Sequence, residues 1–316
     1  MYYGGAMLPN LGSLREYLKW HPRIELNWLR PINYFPPLPM DLEGIEEICI
    51  GTKTRTIGDA LILTTLPGKL KARFPKLRIF TFPRGFNPIV FQGNPAIQGI
   101  LRAPRALYGD DCNLGSGHHI QVKESFFNVP TSEPPRPQIF LSPQEQQWAQ
   151  DYFKSNTKNS KAPLCIIHPW GHTWTTVASK TFWVPFIHQW KDKIRFWQVG
   201  LANHEKIPGC EHYFFHGGKP DVARKLFAVL PRAQFFIGVN SGPMHVAKAF
   251  NIPSFILTQQ GSIKSIFENR HHYPYFMKGN HVGGFLYEEN QHLETDLLST
   301  EDLLHRAGEF LESHYE

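Results

Sequence analysis

The residues best suited to chemistry stand at a break in an apolar run. Phe235 to Val239 is uniformly apolar and reads as a buried strand. Asn240-Ser241-Gly242-Pro243 interrupts it. Asn and Ser are helix N-cap types, and proline suits the first helical position because it has no N–H to leave without a partner. A short helix is expected from Pro243 to about Phe250, stopped by Asn251-Ile252-Pro253, with another buried strand from Ser254 to Thr258. Such a strand–turn–helix–strand unit opens its helix N-terminus at the carboxyl end of a parallel strand, the edge where open α/β sheets bind ligands. Free N–H groups and the helix dipole favour phosphate there. Gly242, without a side chain, lets a ligand come close to the backbone.

The rest of the chain must hold that turn in place. Its 316 residues suit two α/β domains. Hydrophobic residues at 41% against 19% charged support a substantial core and exclude general disorder. The formal charge of +6 suits an anionic ligand or an acidic membrane surface, but it is too small and dispersed to mark a nucleic-acid binder. Most of the aromatics, 8 Trp among them, are expected in the core, with planar or sugar ligands as the sharper reading. Cys49, Cys112, Cys165 and Cys210 are far apart, and no C-x-x-C occurs. Cys49 and Cys165 lie in apolar runs and read as buried thiols of a reduced, cytosolic protein. The N-terminus lacks a basic region followed by an apolar stretch, so no signal peptide is expected. No apolar run reaches the roughly 18 residues a membrane span needs.

Taken in order, residues 1–44 form an aromatic, proline-rich extension, read as a cap over a domain surface or as a membrane or partner contact. Glu47 to Ile50 is a strand, followed by a polar loop from Thr52 to Gly58 and a helix opened by Asp59, which Pro67 kinks or restarts. Leu77 to Phe82 and Ile97 to Leu101 are strands, with turns at Asn87-Pro88 and Asn94-Pro95 between them. Leu107 to His119 is irregular, and His119 to Val122 reads as a strand. Pro130 to Pro137 has the composition of a linker. Ser142-Pro143-Gln144-Glu145 signals a helix start: cap, first-position proline, acidic first turn. Strands are expected over Leu164 to His168, Ile194 to Val199 and Tyr213 to Phe215, and helices over Phe182 to Trp190 and Pro220 to Leu230. A loop covers 261–287, and an amphipathic helix runs from Ser299 to about Leu311. Two α/β halves joined by a proline-rich linker imply a cleft between them, a favoured place for ligands.

The stretch Val239-Asn240-Ser241-Gly242-Pro243-Met244-His245-Val246-Ala247-Lys248-Ala249 resembles the D-[S/T]-G-P-x-H-x-A-x-A signature of glycosyltransferase family 9, the lipopolysaccharide heptosyltransferases. Ile57-Gly58-Asp59-Ala60-Leu61 is similar to the family's first-loop G-D motif, continued by Leu70-Lys71-Ala72-Arg73-Phe74-Pro75. Ser179-Lys180 with Trp183 resembles its S-K-x-W segment, and Gly217-Gly218-Lys219-Pro220-Asp221 its glycine turn. The resemblance covers residues 45 to 260. It implies a GT-B fold: two Rossmann-like, doubly wound α/β domains facing an interdomain cleft. These would be an acceptor-side domain over 45–140 and a nucleotide-sugar domain over 141–298, with a terminal helix over 299–316. It further implies inverting transfer without metal or cofactor, ADP-heptose as donor and a surface glycan such as the lipopolysaccharide core as acceptor. A cytoplasmic protein, free or at the inner face of the inner membrane, fits that role.

On that resemblance Asp59 is the base for the acceptor hydroxyl, a role in which partial burial helps a carboxylate. The plainer reading is a helix N-cap. Lys180 stands as a positive charge for the diphosphate or sugar. Ser241, Gly242 and the Met244–His245 backbone would cradle the phosphates. His245 would hold a phosphate oxygen, fix the turn or simply pack. Thr175, Thr176 and Gly218 are further loop candidates. The pairs His118-His119 and His271-His272 lack metal-ligand spacing and read as loop residues. The signature's acidic position, a partner for sugar hydroxyls in the family, is Asn240 here, which can donate and accept but brings no charge. That departure keeps two alternatives open: a non-catalytic nucleotide-sugar-binding scaffold, or another sugar enzyme of the same shape, such as an epimerase.

Overall fold

The computed structural model describes residues 42–52, 56–102, 107–108, 118–157, 161–171, 180–216, 220–258, 291–294 and 299–315. The expectations for residues 1–41, Thr175, Thr176, Gly218, the 261–287 loop and His271-His272 lie outside them.

The chain enters through β1 (Glu47–Ile50) and a short helix, α1 (Ile57–Leu61), and restarts as α2 (Leu66–Arg73) with Pro67 in its first turn. Next come β2 (Arg78–Thr81), α3 (Asn87–Val90), β3 (Gly99–Ile100), β4 (Leu107–Tyr108) and α4 (His119–Phe126). The four strands form a parallel sheet in the order β3-β2-β1-β4. Three local expectations are corrected here. Asn87-Pro88 is a helical turn, not an open one. Its Asn87 is fully buried: the side-chain oxygen accepts from Thr52 N–H at 2.9 Å and the amide donates to Thr52 C=O at 2.8 Å, extending the backbone pairing past the end of β1. His119 to Val122 is helix: four residues alternating polar and apolar are too few to fix a period, and His118 Nδ1 caps the helix by accepting from Ile120 N–H at 3.2 Å. Leu107–Tyr108, inside the stretch read as irregular, pairs with β1.

Residues 130–137 lie as a strap on the first sheet's helices. Lys69 donates to Pro130 C=O and to the Ser132 hydroxyl, and pairs at 2.8 Å with the buried carboxylate of Glu124. Ser132 binds that same carboxylate, and Gln138 N–H reaches Thr64 Oγ1 at 2.8 Å. Helix α5 (Pro143–Asn156) then starts on a full capping box, Ser142 with Glu145, as its sequence implies.

The second sheet comprises β5 (Leu164–His168), β6 (Arg195–Leu201), β7 (His212–His216), β8 (Phe235–Val239), β9 (Ser254–Thr258) and β10 (Gln291–Glu294). Its helices are α6 (Lys180–Trp190), α7 (Pro220–Val229), α8 (Gly242–Ala249) and α9 (Thr300–Tyr315). All its strand pairs are parallel, in the order β10-β9-β8-β5-β6-β7. Counted along the chain this is 3-2-1-4-5-6, the order of dinucleotide-binding sheets, with its switch point between β5 and β8. Strand periodicity splits the apolar runs between two cores. Cys165, Ile167, Phe196, Phe235 and Ile237 face α6 and α9, meeting Trp183, Phe186, Leu303 and Phe310. Ile166, Trp197, Phe236 and Ile256 face the other way, against α7 and α8, in a core continuous with Ile48, Leu61 and Val90 of the first sheet. The two halves therefore share apolar packing.

Cys49 and Cys165 are buried free thiols, as expected. Among the described residues no helix is long and apolar enough to cross a membrane.

Candidate functional site

Strand β8 is buried throughout and stops at Val239, and the chain turns over Asn240 and Ser241 into α8. The switch point lies here. His168 is the last residue of β5, is buried, and places its Nδ1 3.0 Å from Ser241 Oγ. Ser241 Oγ is also 3.0 Å from Val239 C=O. It makes no cap bond to α8, whose second residue is Pro243 and whose third, Met244, donates its N–H to the Ser241 backbone carbonyl at 3.1 Å. Sequence reasoning assigned Ser241 to this edge but missed His168. The available signal was a histidine closing an otherwise apolar strand run. His204 was also missed: it accepts from Leu201 N–H through Nδ1 at 3.1 Å, and its ring centre lies 6.0 Å from that of His168. Alongside, Trp170 Nε1 and Gln198 Nε2 both donate to Glu205 C=O, fixing the loop after β6.

The G-D segment meets this turn directly. A Cβ on Gly242 would stand 1.8 Å from Cγ2 of Ile57, the first residue of α1. A Cβ on Gly58 would stand 3.0 Å from the His245 ring. Each glycine thus admits a side chain from the opposite motif, and the N-termini of α1 and α8 interlock. The expectation that Gly242 clears space for a ligand meets a neighbour already in that space, the Ile57 methyl. Asp59 follows at the third position of α1, half-buried, and accepts from Thr56 Oγ1 at 2.5 Å. Thr56 is the cap residue, so Asp59 lies within the first turn and does not open the helix.

Met244 buries its side chain completely and offers only backbone to a ligand. His245 is 3% exposed, and burial, with a smaller push from the His118 charge, lowers its pKa to about 3. It is a neutral packing ring at ordinary pH, so any phosphate contact it makes is as an uncharged group. Lys248, one turn on and 3% exposed, is lowered to about 8 by burial and then by Arg136. This face of α8 is turned towards His118 and Arg136 of the preceding segment. His118 and His119 are buried at the start of α4 and are not loop residues; among the described residues no three His, Cys, Asp or Glu gather as a metal site. Lys180 is the first residue of α6.

His245 makes acid sensitivity a direct readout of this contact. Its folded pKa lies below its ordinary value, so the unfolded chain binds a proton that the fold refuses between pH 6.5 and 3. Stability is present above that window and is lost as pH falls through it, by on the order of 4 kcal/mol if the full shift is expressed. Urea unfolding of wild type and His245→Asn from pH 7 to pH 4 should give a steep decline for the first and a flatter one for the second. Parallel curves would show that His245 is not the group responsible.

No family model matches the sequence, and no curated protein matches it. The fold is that of glycosyltransferases of family 9. A family 9 glycosyltransferase from Veillonella parvula aligns at TM-score 0.60 and 13% identity over 85% of this chain and 98% of its own. The E. coli ADP-heptose lipopolysaccharide heptosyltransferase II gives 0.57 and 11%, over 86% and 100%. The E. coli heptosyltransferase WaaC, solved with ADP, gives 0.51 and 13%, over 84% and 99%. At these identities the likeness is one of fold.

Proposed function

We propose that this protein is an inverting, metal-independent glycosyltransferase that moves a sugar, heptose, from a nucleotide donor to a hydroxyl of a bacterial surface glycan. One observation carries the reading: the segment holding Asp59 and the signature turn interlock at the switch point of a dinucleotide-type sheet. In this reading the two sheets are the cores of two GT-B domains, acceptor-side over 45–140 and donor-side over 141–298. The donor, ADP-heptose, lies at the carboxyl edge of β5, β6 and β8. The N–H groups at the start of α8 face its diphosphate, and the helix dipole offsets charge building on the leaving group. Asn240 hydrogen-bonds sugar hydroxyls. Lys180, with Thr175, Thr176 and Gly218, completes the donor side. Asp59, from the acceptor half, takes the proton of the attacking hydroxyl, and the anomeric centre inverts because attack is opposite the diphosphate. The enzyme works in the cytoplasm or at the inner face of the inner membrane, on a glycolipid acceptor.

The test is sugar transfer by purified protein from a panel of nucleotide sugars to truncated lipopolysaccharide cores. Asp59→Asn should lower turnover at least about a hundredfold while the protein stays folded, the scale of a lost general base. Full turnover in that variant would remove Asp59 from the role.

Asn240 supports a second reading, a nucleotide-sugar-binding protein without turnover, since the charge of the signature is missing there. Calorimetric binding of ADP with no transfer to any acceptor would favour it.

A further inference from the structure

We infer that Thr56 is a positioning residue for Asp59: its hydroxyl holds one carboxylate oxygen and so presents the other to the acceptor. The inference rests on the reading of Asp59 as the base and names the group that aims it. Among the described residues three helices start with a hydroxyl residue at the cap and an acid at the third position: Thr56 and Asp59 on α1, Ser142 and Glu145 on α5, Ser299 and Asp302 on α9. The last two pairs close through the backbone, each acid reciprocating its cap. Glu145 N–H donates to Ser142 Oγ at 3.2 Å and Ser142 N–H to the Glu145 carboxylate at 2.8 Å. Asp302 N–H donates to Ser299 Oγ at 3.1 Å and Ser299 N–H to the Asp302 carboxylate at 3.3 Å, with a side-chain bond between the two at 2.6 Å besides. Thr56 has the extended backbone of a cap, φ −91° and ψ 143°, yet makes no cap bond to α1. Its hydroxyl is on Asp59 Oδ2 at 2.5 Å instead. Side-chain length is not the reason, since Asp302 closes its box with the same side chain.

The donors and acceptors fix what this does. An ionised carboxylate can only accept, so the single Thr56 hydroxyl proton points at Oδ2. Asp59 makes no other side-chain hydrogen bond among the described residues, and none of its carboxylate is spent on the helix start. Oδ1 is the oxygen left for a substrate. A general base must hold its accepting oxygen within hydrogen-bond reach of the proton it takes. The last torsion of an aspartate is broad, so an untethered carboxylate swings about it. The Thr56 bond removes that swing. Between the two residues, Ile57 and Gly58 are seated against Gly242 and His245 of α8, so the segment that aims Asp59 is itself fixed on the donor half. Thr56 touches neither donor nor acceptor in this scheme and acts through Asp59.

The test uses Thr56→Val, which keeps the branched shape and removes the hydroxyl, and Thr56→Ser, which keeps the hydroxyl. Thr56→Ala replaces the Val variant if that protein does not fold. In sugar transfer from ADP-heptose to truncated lipopolysaccharide cores, Thr56→Val should lower kcat about tenfold, the low end for a hydrogen bond to a charged group. The KM of both substrates should stay at the wild-type value, and Thr56→Ser should restore kcat. Adding Thr56→Val to Asp59→Asn should lower kcat no further, because the two residues act as one unit. In crystal structures of the ligand-free proteins, the Asp59 carboxylate should turn from its wild-type position in the Val variant and keep it in the Ser variant. Wild-type kcat in Thr56→Val, or an equal further loss in the Asp59→Asn background, overturns the inference. An unmoved carboxylate in the Val variant overturns it whether or not transfer is seen. If the carboxylate turns as expected but Asp59→Asn keeps full turnover, the contact stands and the reading of Asp59 as the base fails.

Discussion

Arg224→Ala should cost about 3–5 kcal/mol of folding stability, the scale for breaking a buried charged pair from one side. Arg224, on α7, is 5% exposed. Its Nε and Nη2 grip the two carboxylate oxygens of Glu145 at 2.6 and 2.7 Å. Nη2 also reaches Phe140 C=O, and Nη1 reaches Ile89 C=O at 3.2 Å. One guanidinium thus joins α7 to the start of α5, to the chain just before it at Phe140, and to α3 at Ile89. Glu145 is at the same time the reciprocal partner in the Ser142 capping box. Burial alone would raise its pKa, but hydrogen bonds from Arg224 and Ser142 and the Arg224 charge outweigh that and lower it. Removing Arg224 leaves a carboxylate and two carbonyls short of a donor, and alanine supplies nothing in return. Urea unfolding measures the loss. Arg224→Lys should recover little, because one ammonium cannot reproduce the fork and also reach both carbonyls. A cost below about 1 kcal/mol would mean that water replaces the guanidinium at small penalty.

Gly242→Ala should destabilise the protein by about 2–3 kcal/mol, at the upper end for overpacking. The backbone there does not need glycine, since Gly242 is not among the residues of positive φ. What excludes a Cβ is Ile57 Cγ2 at 1.8 Å, a branch methyl whose parent Cβ lies only 3.4 Å away. A rotamer change alone gives little relief, so α1 and α8 must separate. Ile57→Ala in the same chain should restore most of the lost stability, which makes a double-mutant cycle decisive. The cycle also separates two reasons for the glycine. If only Ile57 needs the space, the double variant binds ADP as Ile57→Ala does. If a phosphate also needs it, stability returns and ADP binding does not. A Gly242→Ala protein as stable as wild type would show that the interlock yields easily.

Much of the second sheet was legible in the sequence because its signals are local. Runs such as Leu164–His168 and Phe235–Val239 are apolar at every position because parallel strands are covered on both faces. The start of α5 is written in Ser142 to Glu145, and the site's edge in the Asn240–Pro243 break. The same locality explains the misreadings. Asn87-Pro88 has turn chemistry and becomes helix because Asn87 is needed against Thr52. Leu107–Tyr108 is too short to announce itself and is a strand only by pairing with β1.

The sequence by itself determined where a buried strand breaks into a helix start at Asn240–Pro243 and which segment carries a candidate base, since caps, breaks and periodicity act over a few neighbouring residues. Only the tertiary structure decided that Ile57 fills the space beside Gly242, that His168 reaches Ser241, and that Arg224 ties Glu145 and the Phe140 backbone to Ile89 of the first half. Those contacts join residues far apart in the chain, and their distances follow from how the two sheets pack rather than from any neighbour in sequence.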